Sequence, residues 1–240
     1  MPESELVPGR PTAEHVRGIF SQIADKYDVF NALASMGIDR SWRRELVRAA
    51  ALTPVSRVLD LASGTGDVAF ALANLGHPAD VVATDFVSEM LAVAEKKAAE
   101  HPAAVPVSFS VADAQELPFE DASFDVATVA FGVRNFPERE RNFAEVLRVL
   151  KPGGRYVILE FSRPPFALWR GVYHVYLRGA IPLIGGMLTG DRAGFVYLND
   201  SIRQFPVQAT LAAELKTAGF SAVTWKNLSG GIVALHTAVK

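Results

Sequence analysis

The chain has no cysteine. Disulfides, thiolate metal sites and a cysteine nucleophile are therefore excluded, and cysteine usage says nothing about compartment. Net charge is nearly absent as well. Lysine and arginine number 24 against 26 aspartates and glutamates, leaving −2, so nothing global favours a nucleic-acid partner. No uninterrupted apolar run reaches about 18 residues, so no membrane-spanning helix is expected. The nearest candidate, Phe166 to Leu188, is broken by Arg170, His174, Arg178 and Pro182, and reads as a cap or an interfacial segment. No cluster of His, Asp and Glu has metal-ligand spacing, so no metal is expected. The opening Met1-Pro2-Glu3-Ser4-Glu5 has neither a basic nor an apolar signal region, so no signal peptide is read and a cytoplasmic protein is expected.

What is present is the composition of a packed soluble chain, half hydrophobic and 21% charged. Its 240 residues allow one full α/β domain and a modest cap, not two large domains. The most informative stretch is Arg57 to Asp85. Val58-Leu59-Asp60-Leu61 suits a buried parallel strand. Ala62-Ser63-Gly64-Thr65-Gly66-Asp67 breaks it with two glycines one residue apart. Val68 to Leu75 is apolar and alanine-rich, which favours a helix packed on a sheet. Asp80 to Asp85 then reads as a second strand ending in an acid. This is the grammar of a nucleoside-binding unit. Glycines let backbone approach a ligand, and the terminal carboxylate can accept hydrogen bonds from ribose hydroxyls.

Along the rest of the chain, residues 1–14 read as loose. An amphipathic helix is expected from His15 to about Asp28, with Val16, Ile19, Phe20 and Ile23 on one face. A second is expected from Arg40 to Ala51. Strands are placed near 57–61, 80–85, 107–112, 124–130 and 154–161, and helices near 67–75, 88–99 and 138–150. Such alternation implies a parallel sheet covered on both faces. Lys151-Pro152-Gly153-Gly154 reads as a sharp stop and turn. The span 162–205 reads as an inserted helical cap. Thr210 to Ala218 is a further helix with Gly219 as its C-cap, and Ser229-Gly230-Gly231 joins two short strands, 223–228 and 232–239, as a hairpin. A parallel sheet closing on a C-terminal hairpin is the usual ending of the class I methyltransferase sheet.

Several motifs in order resemble one family. They are Ile23-Ala24-Asp25-Lys26-Tyr27-Asp28 and Gly37-Ile38-Asp39-Arg40-Ser41-Trp42-Arg43, the glycine loop from Val58 to Asp67, and Ala112-Asp113-Ala114 with Leu117-Pro118-Phe119. They continue with Phe131-Gly132-Val133-Arg134-Asn135, with Leu150 to Arg155, with Leu159-Glu160-Phe161-Ser162, and with Asn227 to His236. From about Ile19 onward the chain resembles the ubiquinone/menaquinone biosynthesis C-methyltransferases (UbiE/MenG), most nearly the demethylmenaquinone methyltransferases. Ala62-Ser63 and Ala130 depart from the pattern; Ala130 stands where some members carry a cofactor-contacting serine.

The resemblance implies an α/β fold of class I, Rossmann-like, with a seven-stranded sheet, a C-terminal antiparallel hairpin, N-terminal helices and the inserted cap. It implies a segment 1–52 closing over a methyltransferase domain at 53–240. It implies S-adenosylmethionine as methyl donor and a prenylated quinol as acceptor, methylated on a ring carbon. Because the acceptor tail is isoprenoid, it implies contact with a membrane surface, peripheral at its inner face, and it admits a homodimer. On this reading Gly64-Thr65-Gly66 lies against the donor, with Thr65 donating a hydrogen bond. Asp85, with Phe86 beside it, meets the ribose; Asp113 and Ala114 meet the adenine; Asp60 lies near the methionine ammonium. Each of these acids can instead cap the following helix. Arg134, after the fourth strand, is the first candidate to stabilise a phenolate, the alternative being a structural ion pair. Tyr27, with Asp28 and Asn31, comes from the N-terminal helix; for Tyr27 ordinary packing is the alternative. Tyr173 and His174 lie in the cap, and His236 reads as structural.

A nicotinamide-dependent oxidoreductase is the rival enzyme class, since Gly64-x-Gly66-x-x-Ala69 with Asp85 fits a relaxed dinucleotide fingerprint. Asp113-Ala114 and the closing hairpin argue against it. A non-catalytic protein of the same fold would more readily have lost Gly64, Gly66 or Asp85. A sterol- or tocopherol-type methyltransferase is the nearest rival, opposed by Phe131 to Asn135 and the cap.

Overall fold

The computed structural model describes residues 24–189 and 193–240, together with Glu14, Arg17, Gly18, Phe20 and Ser21. The expectations at residues 1–13 and at Val16, Ile19 and Ile23 lie outside the described residues, as do the cap side chains Leu183, Ile184, Met187 and Leu188.

The first elements of the continuous described span are a 3-10 turn, Ala24–Lys26, and helix α1, Tyr27–Ala34. Sequence reasoning ended a helix near Asp28. Nothing in Val29 to Ala34 stops one, and the helix runs on to Ala34, beyond which Met36 and Gly37 turn left-handed at φ +52° and +74°. Helix α2, Asp39–Ala50, follows and stops where Ala51 turns left-handed. Then come β1 (Arg57–Leu61), α3 (Asp67–Ala71, extended by a π turn, Leu72–Gly76), β2 (Asp80–Asp85), α4 (Ser88–Glu100) and β3 (Val107–Val111). They are followed by β4 (Phe124–Ala130), α5 (Arg139–Val149) and β5 (Leu150–Phe161). The cap is α6 (Ala167–Thr189) and α7 (Ala193–Gln204). Helix α8 (Gln208–Thr217), β6 (Ala222–Leu228) and β7 (Val233–Val239) close the fold.

The sheet has seven strands in the order β3-β2-β1-β4-β5-β7-β6. The β1–β2, β1–β4, β2–β3 and β4–β5 pairs are parallel, and β7 runs antiparallel to both neighbours. Side chains alternate across each strand, so consecutive residues enter opposite cores. Leu59, Leu61, Tyr156 and Ile158 pack with Phe143 and Val146 of α5 and Leu211 and Leu215 of α8. Val58, Val157 and Leu159 pack with Leu46 of α2 and Val68 and Leu72 of α3. Burial on both faces is why β1 reads as an apolar run rather than an alternating one.

Strand β5 begins at Leu150, earlier than the sequence placed it. Leu150 pairs with Phe124, the register then shifts, and Arg155 pairs with Val126. The Lys151–Gly154 turn chemistry is thus spent on an irregularity within the strand. Gly153, at φ +76°, donates to the carbonyl of Lys240 at 3.1 Å, so this kink also holds the C-terminus.

The cap and α1 pack on each other. Phe30 of α1 meets Tyr173, Leu177 and Ile181 of α6 and Ile202 of α7, and the Tyr176 hydroxyl donates to the carbonyl of Ala34. Together they roof the C-terminal edge of the parallel strands, where ligands bind in such sheets.

Candidate active site

Two connected chambers lie at that edge. The smaller, of about 100 Å³, is lined by Gly64, Asp85, Phe86, Asp113, Ala114 and Gln115. The larger, of about 430 Å³, lies under the cap and is lined by Asp60, Arg134, Phe161, Trp169, Tyr173 and Tyr197. Tyr27, Ala62, Gly64, Ala130 and Phe131 line both and mark where they meet.

The small chamber is shaped by backbone. After β1 the chain turns left-handed at Ala62, Gly64 and Gly66. A side chain at Gly66 would place its Cβ 2.8 Å from the Phe70 ring, and one at Gly132 would meet Ala62 at 2.7 Å. Glycine at these points lets the turn close against α3 and lets the end of β4 pass beneath it. Asp85 is buried, and its two carboxylate oxygens accept from the amides of Gly64 and Val87, each at 2.8 Å. Burial pushes its carboxyl above the usual range, against the pull of those amides. Asp113 accepts from the backbone of Gln115 at 2.8 Å. Asn142 fixes the adjacent loop: it donates to the carbonyl of Ala114 at 2.8 Å and accepts from the Tyr156 hydroxyl at 2.9 Å.

The structure brings Gly64, Asp85, Phe86, Asp113 and Ala114 together at the small chamber; of the other residues expected to hold the donor, Asp60 and Thr65 line the large chamber and Gly66 lines neither. The Thr65 hydroxyl donates to Asp28 at 2.5 Å. Gly66 serves the turn, its amide donating to the Ser63 carbonyl at 3.0 Å. Asp28 belongs to a charge chain that sequence spacing could not reveal. Lys97 bridges Asp28 at 2.8 Å and Asp67 at 2.7 Å, and Arg43 joins Asp67 to Asp39. This chain ties α1 and α2 to the helices behind the glycine turn.

Asp60 lines the large chamber, at 1% exposure. Its Oδ1 accepts from the Thr128 hydroxyl at 2.6 Å, while its Oδ2 is buried with no partner. Burial pushes its carboxyl up to about 7, with Thr128 opposing. An orphaned carboxylate oxygen is costly unless a cation meets it. Together with the glycine-walled chamber, it fits an amino-acid nucleoside whose ammonium reaches Asp60.

Arg134 is nearly sealed. It forms an ion pair with Glu160 at 2.9 Å, side chains 4% and 1% exposed, and also donates to the carbonyl of Phe131. Its amide donates to the other Glu160 oxygen at 3.2 Å. Its guanidinium lies 5.4 Å from the Phe161 ring centroid. Its Nε is buried without a partner. Burial would lower its pKa, but Glu160, Tyr27 and Tyr197 raise it overall, so it stays charged.

The three tyrosines beside it have hydroxyls pushed above the usual range, by burial first, with Arg134 opposing. Tyr197 donates to Asn135 at 2.9 Å, whereas the Tyr173 hydroxyl is buried and unpartnered. Glu160 was missed as a site residue, although a lone acid inside the apolar run Tyr156 to Phe161 was a visible signal. His174 lies on the cap away from these chambers. His236 is buried in β7 with Nε2 at 3.0 Å from the Gln208 carbonyl. Among the described residues, no group of three or more His, Cys, Asp and Glu could hold a metal ion.

Parallel strands, a reversed hairpin, a glycine turn after β1 and acids at the ends of β2 and β3 are the architecture of the class I, Rossmann-like methyltransferase fold. Solved structures share the fold. An S-adenosylmethionine-dependent methyltransferase from Thermotoga maritima superposes with TM-score 0.65, at 20% identity, over 93% of this chain and 99% of that one. The [4+2]-cyclase SpnF superposes with TM-score 0.70, at 18% identity, over 98% of each chain. A cyclase on this fold shows that the architecture alone does not name a reaction.

Sequence goes further: residues 10–240 match the ubiE/COQ5 methyltransferase family, and the chain belongs to it. The ubiquinone/menaquinone biosynthesis C-methyltransferase UbiE of Ectopseudomonas mendocina is 43% identical over 235 residues, 98% of this chain and 92% of that one. The chain is thus an S-adenosylmethionine-dependent C-methyltransferase.

Proposed function

We propose that this enzyme methylates a ring carbon of a prenylated quinol, converting demethylmenaquinol to menaquinol, and/or acting on 2-methoxy-6-polyprenyl-benzoquinol, in respiratory quinone biosynthesis. The observation that carries this reading is the apolar chamber of about 430 Å³ beside the small one, with a charged guanidinium in its wall. A nicotinamide enzyme has no need of that combination. The named activity of the UbiE relatives supports the same substrate class.

Asp60 takes the donor's ammonium, Asp85 its ribose, and Asp113 with the Ala114 amide its adenine. When bound, S-adenosylmethionine supplies an electrophilic methyl group on a sulfonium. Helix α1 closes over it, with Tyr27 at the junction of the chambers. The protein's remaining work is to align the ring carbon and to enrich the ring with electrons. Arg134 does the second. It cannot act as a base, but its positive charge favours the phenolate form of a ring hydroxyl, whose ortho carbon is the better nucleophile. The unpartnered Arg134 Nε and Tyr173 hydroxyl supply donors for that oxygen. Tyr27 and Tyr173, kept protonated by burial, remain donors through neutral pH.

Trp169 and Trp42 line the large chamber, whereas Trp225 stacks on His236 in the closing hairpin. Titrating a prenylated menaquinone into the protein in detergent is therefore expected to quench tryptophan emission saturably. Trp169→Phe should remove a distinct share of that quenching without abolishing binding. Absence of saturable quenching would contradict a quinol in this chamber.

A further inference from the structure

Helix α6 turns two faces in opposite directions. Tyr173, Leu177 and Ile181 are buried against α1 and α7. On the other side, Leu168, Val172 and Val175 follow helical spacing and are 86%, 52% and 74% exposed. Phe166, just before the helix, is 72% exposed. Soluble proteins seldom leave such a stripe uncovered without a partner for it.

The stripe's two flanks differ. Along one run Arg170, His174 and Arg178, with Arg163 and Arg203 nearby. All four guanidiniums lie near enough to His174 to add to the effect of burial in lowering its pKa. None of the four has an ion-pair partner among the described residues; Arg170 donates only to the Pro164 carbonyl at 3.3 Å. Along the other flank lie Trp169 and Tyr176, which also line the large chamber. Val172 and Met36, the latter 76% exposed, line it too, so the chamber's mouth opens beside the stripe. Apolar residues between a basic edge and an aromatic edge match the layering of a bilayer interface, where cations meet anionic headgroups and Trp and Tyr sit at headgroup level. No described helix is long and apolar enough to cross a membrane, so the match is to a surface.

We propose that the outward face of α6, with its arginine flank, docks on a bilayer carrying anionic lipid and seats the mouth of the large chamber at that surface. This rests on reading the acceptor as a lipid-borne quinol, whose tail then need not leave the membrane. A protein partner would satisfy the apolar stripe as well, but four uncompensated guanidiniums on one flank favour a surface of dense negative charge.

The full chain is sedimented with vesicles of phosphatidylcholine, with or without about a quarter phosphatidylglycerol, at low and high salt. Binding is expected to the anionic vesicles, to weaken with salt, and to be slight on phosphatidylcholine alone. The double variant Leu168→Glu, Val175→Glu should lose roughly ten-fold or more in partitioning. Arg178→Gln should lose about five-fold. These residues line neither chamber, so donor binding measured by calorimetry should be unchanged, showing that the variants fold. No wild-type binding to anionic vesicles, or equal binding by the double variant, overturns the proposal. So does a wild-type dimer that the double variant dissolves without any vesicle binding, since the face then belongs to a second copy. Vesicle binding is read without turnover, so an enzyme that methylates quinol in detergent but ignores vesicles overturns the docking face and leaves the substrate reading standing.

Discussion

Replacing Arg134 by methionine is expected to lower kcat by roughly 10²–10³-fold, the scale of losing one preorganised donor to a developing oxyanion. Affinity for S-adenosylmethionine should hardly change, because the acids assigned to the donor, Asp60, Asp85 and Asp113, are left in place and the partner that Arg134 loses is Glu160. The same substitution should also destabilise the fold, by about 3–5 kcal/mol, because it strands Glu160 as a buried uncompensated charge. Glu160 keeps the amides of Arg134 and Phe161, at 3.2 and 2.8 Å, but loses its cation. These two effects must be separated, since an ion pair that only holds β4 to β5 would also depress activity on breaking. The double variant Arg134→Met, Glu160→Gln separates them. It removes both charges and should recover most of the stability in denaturant melts, while kcat stays low. Recovery of turnover along with stability would reduce Arg134 to a structural role.

Donor affinity should fall as the solution is acidified from pH 7.5 to 6, by roughly five- to ten-fold. The cause is Asp60. Without ligand, burial holds its carboxyl at about 7, so it carries a proton through much of this window. An ammonium needs the ionised form, and binding must expel the proton. The sign follows: below the raised pKa affinity drops, above it affinity levels off. Calorimetry in two buffers of different ionisation heat, near pH 6.5, should show net proton release on binding. Asp60→Asn should bind weakly and lose both the pH slope and the proton release. A flat profile in the wild type, or proton uptake, would place the ammonium elsewhere.

Much of the donor half was legible because its determinants are local. The run Val58 to Leu61, the glycines at 64 and 66 and the acid at 85 lie within one strand–turn–helix–strand unit, and short-range rules fix such units. The C-terminal hairpin was legible for the same reason. In the acceptor half Arg134, Tyr27 and Tyr173 were legible as candidates, but the partners that hold them were not. Arg134 and Glu160 are 26 residues apart and meet only because β4 and β5 are neighbours in the sheet. Thr65 meets Asp28 across 37 residues, so the partner of its hydroxyl depends on where α1 docks. The cap's amphipathicity was readable only as an ambiguity: Tyr173 and Val175 both count as apolar in a line of text, yet the fold buries one and exposes the other.

The most direct test supplies the purified enzyme with methyl-labelled S-adenosylmethionine and, in detergent, reduced demethylmenaquinol or 2-methoxy-6-polyprenyl-benzoquinol. The account predicts label in the lipid, on a ring carbon, with the preferred ring naming the substrate. Measurable donor binding with no label in either lipid would contradict the quinol assignment.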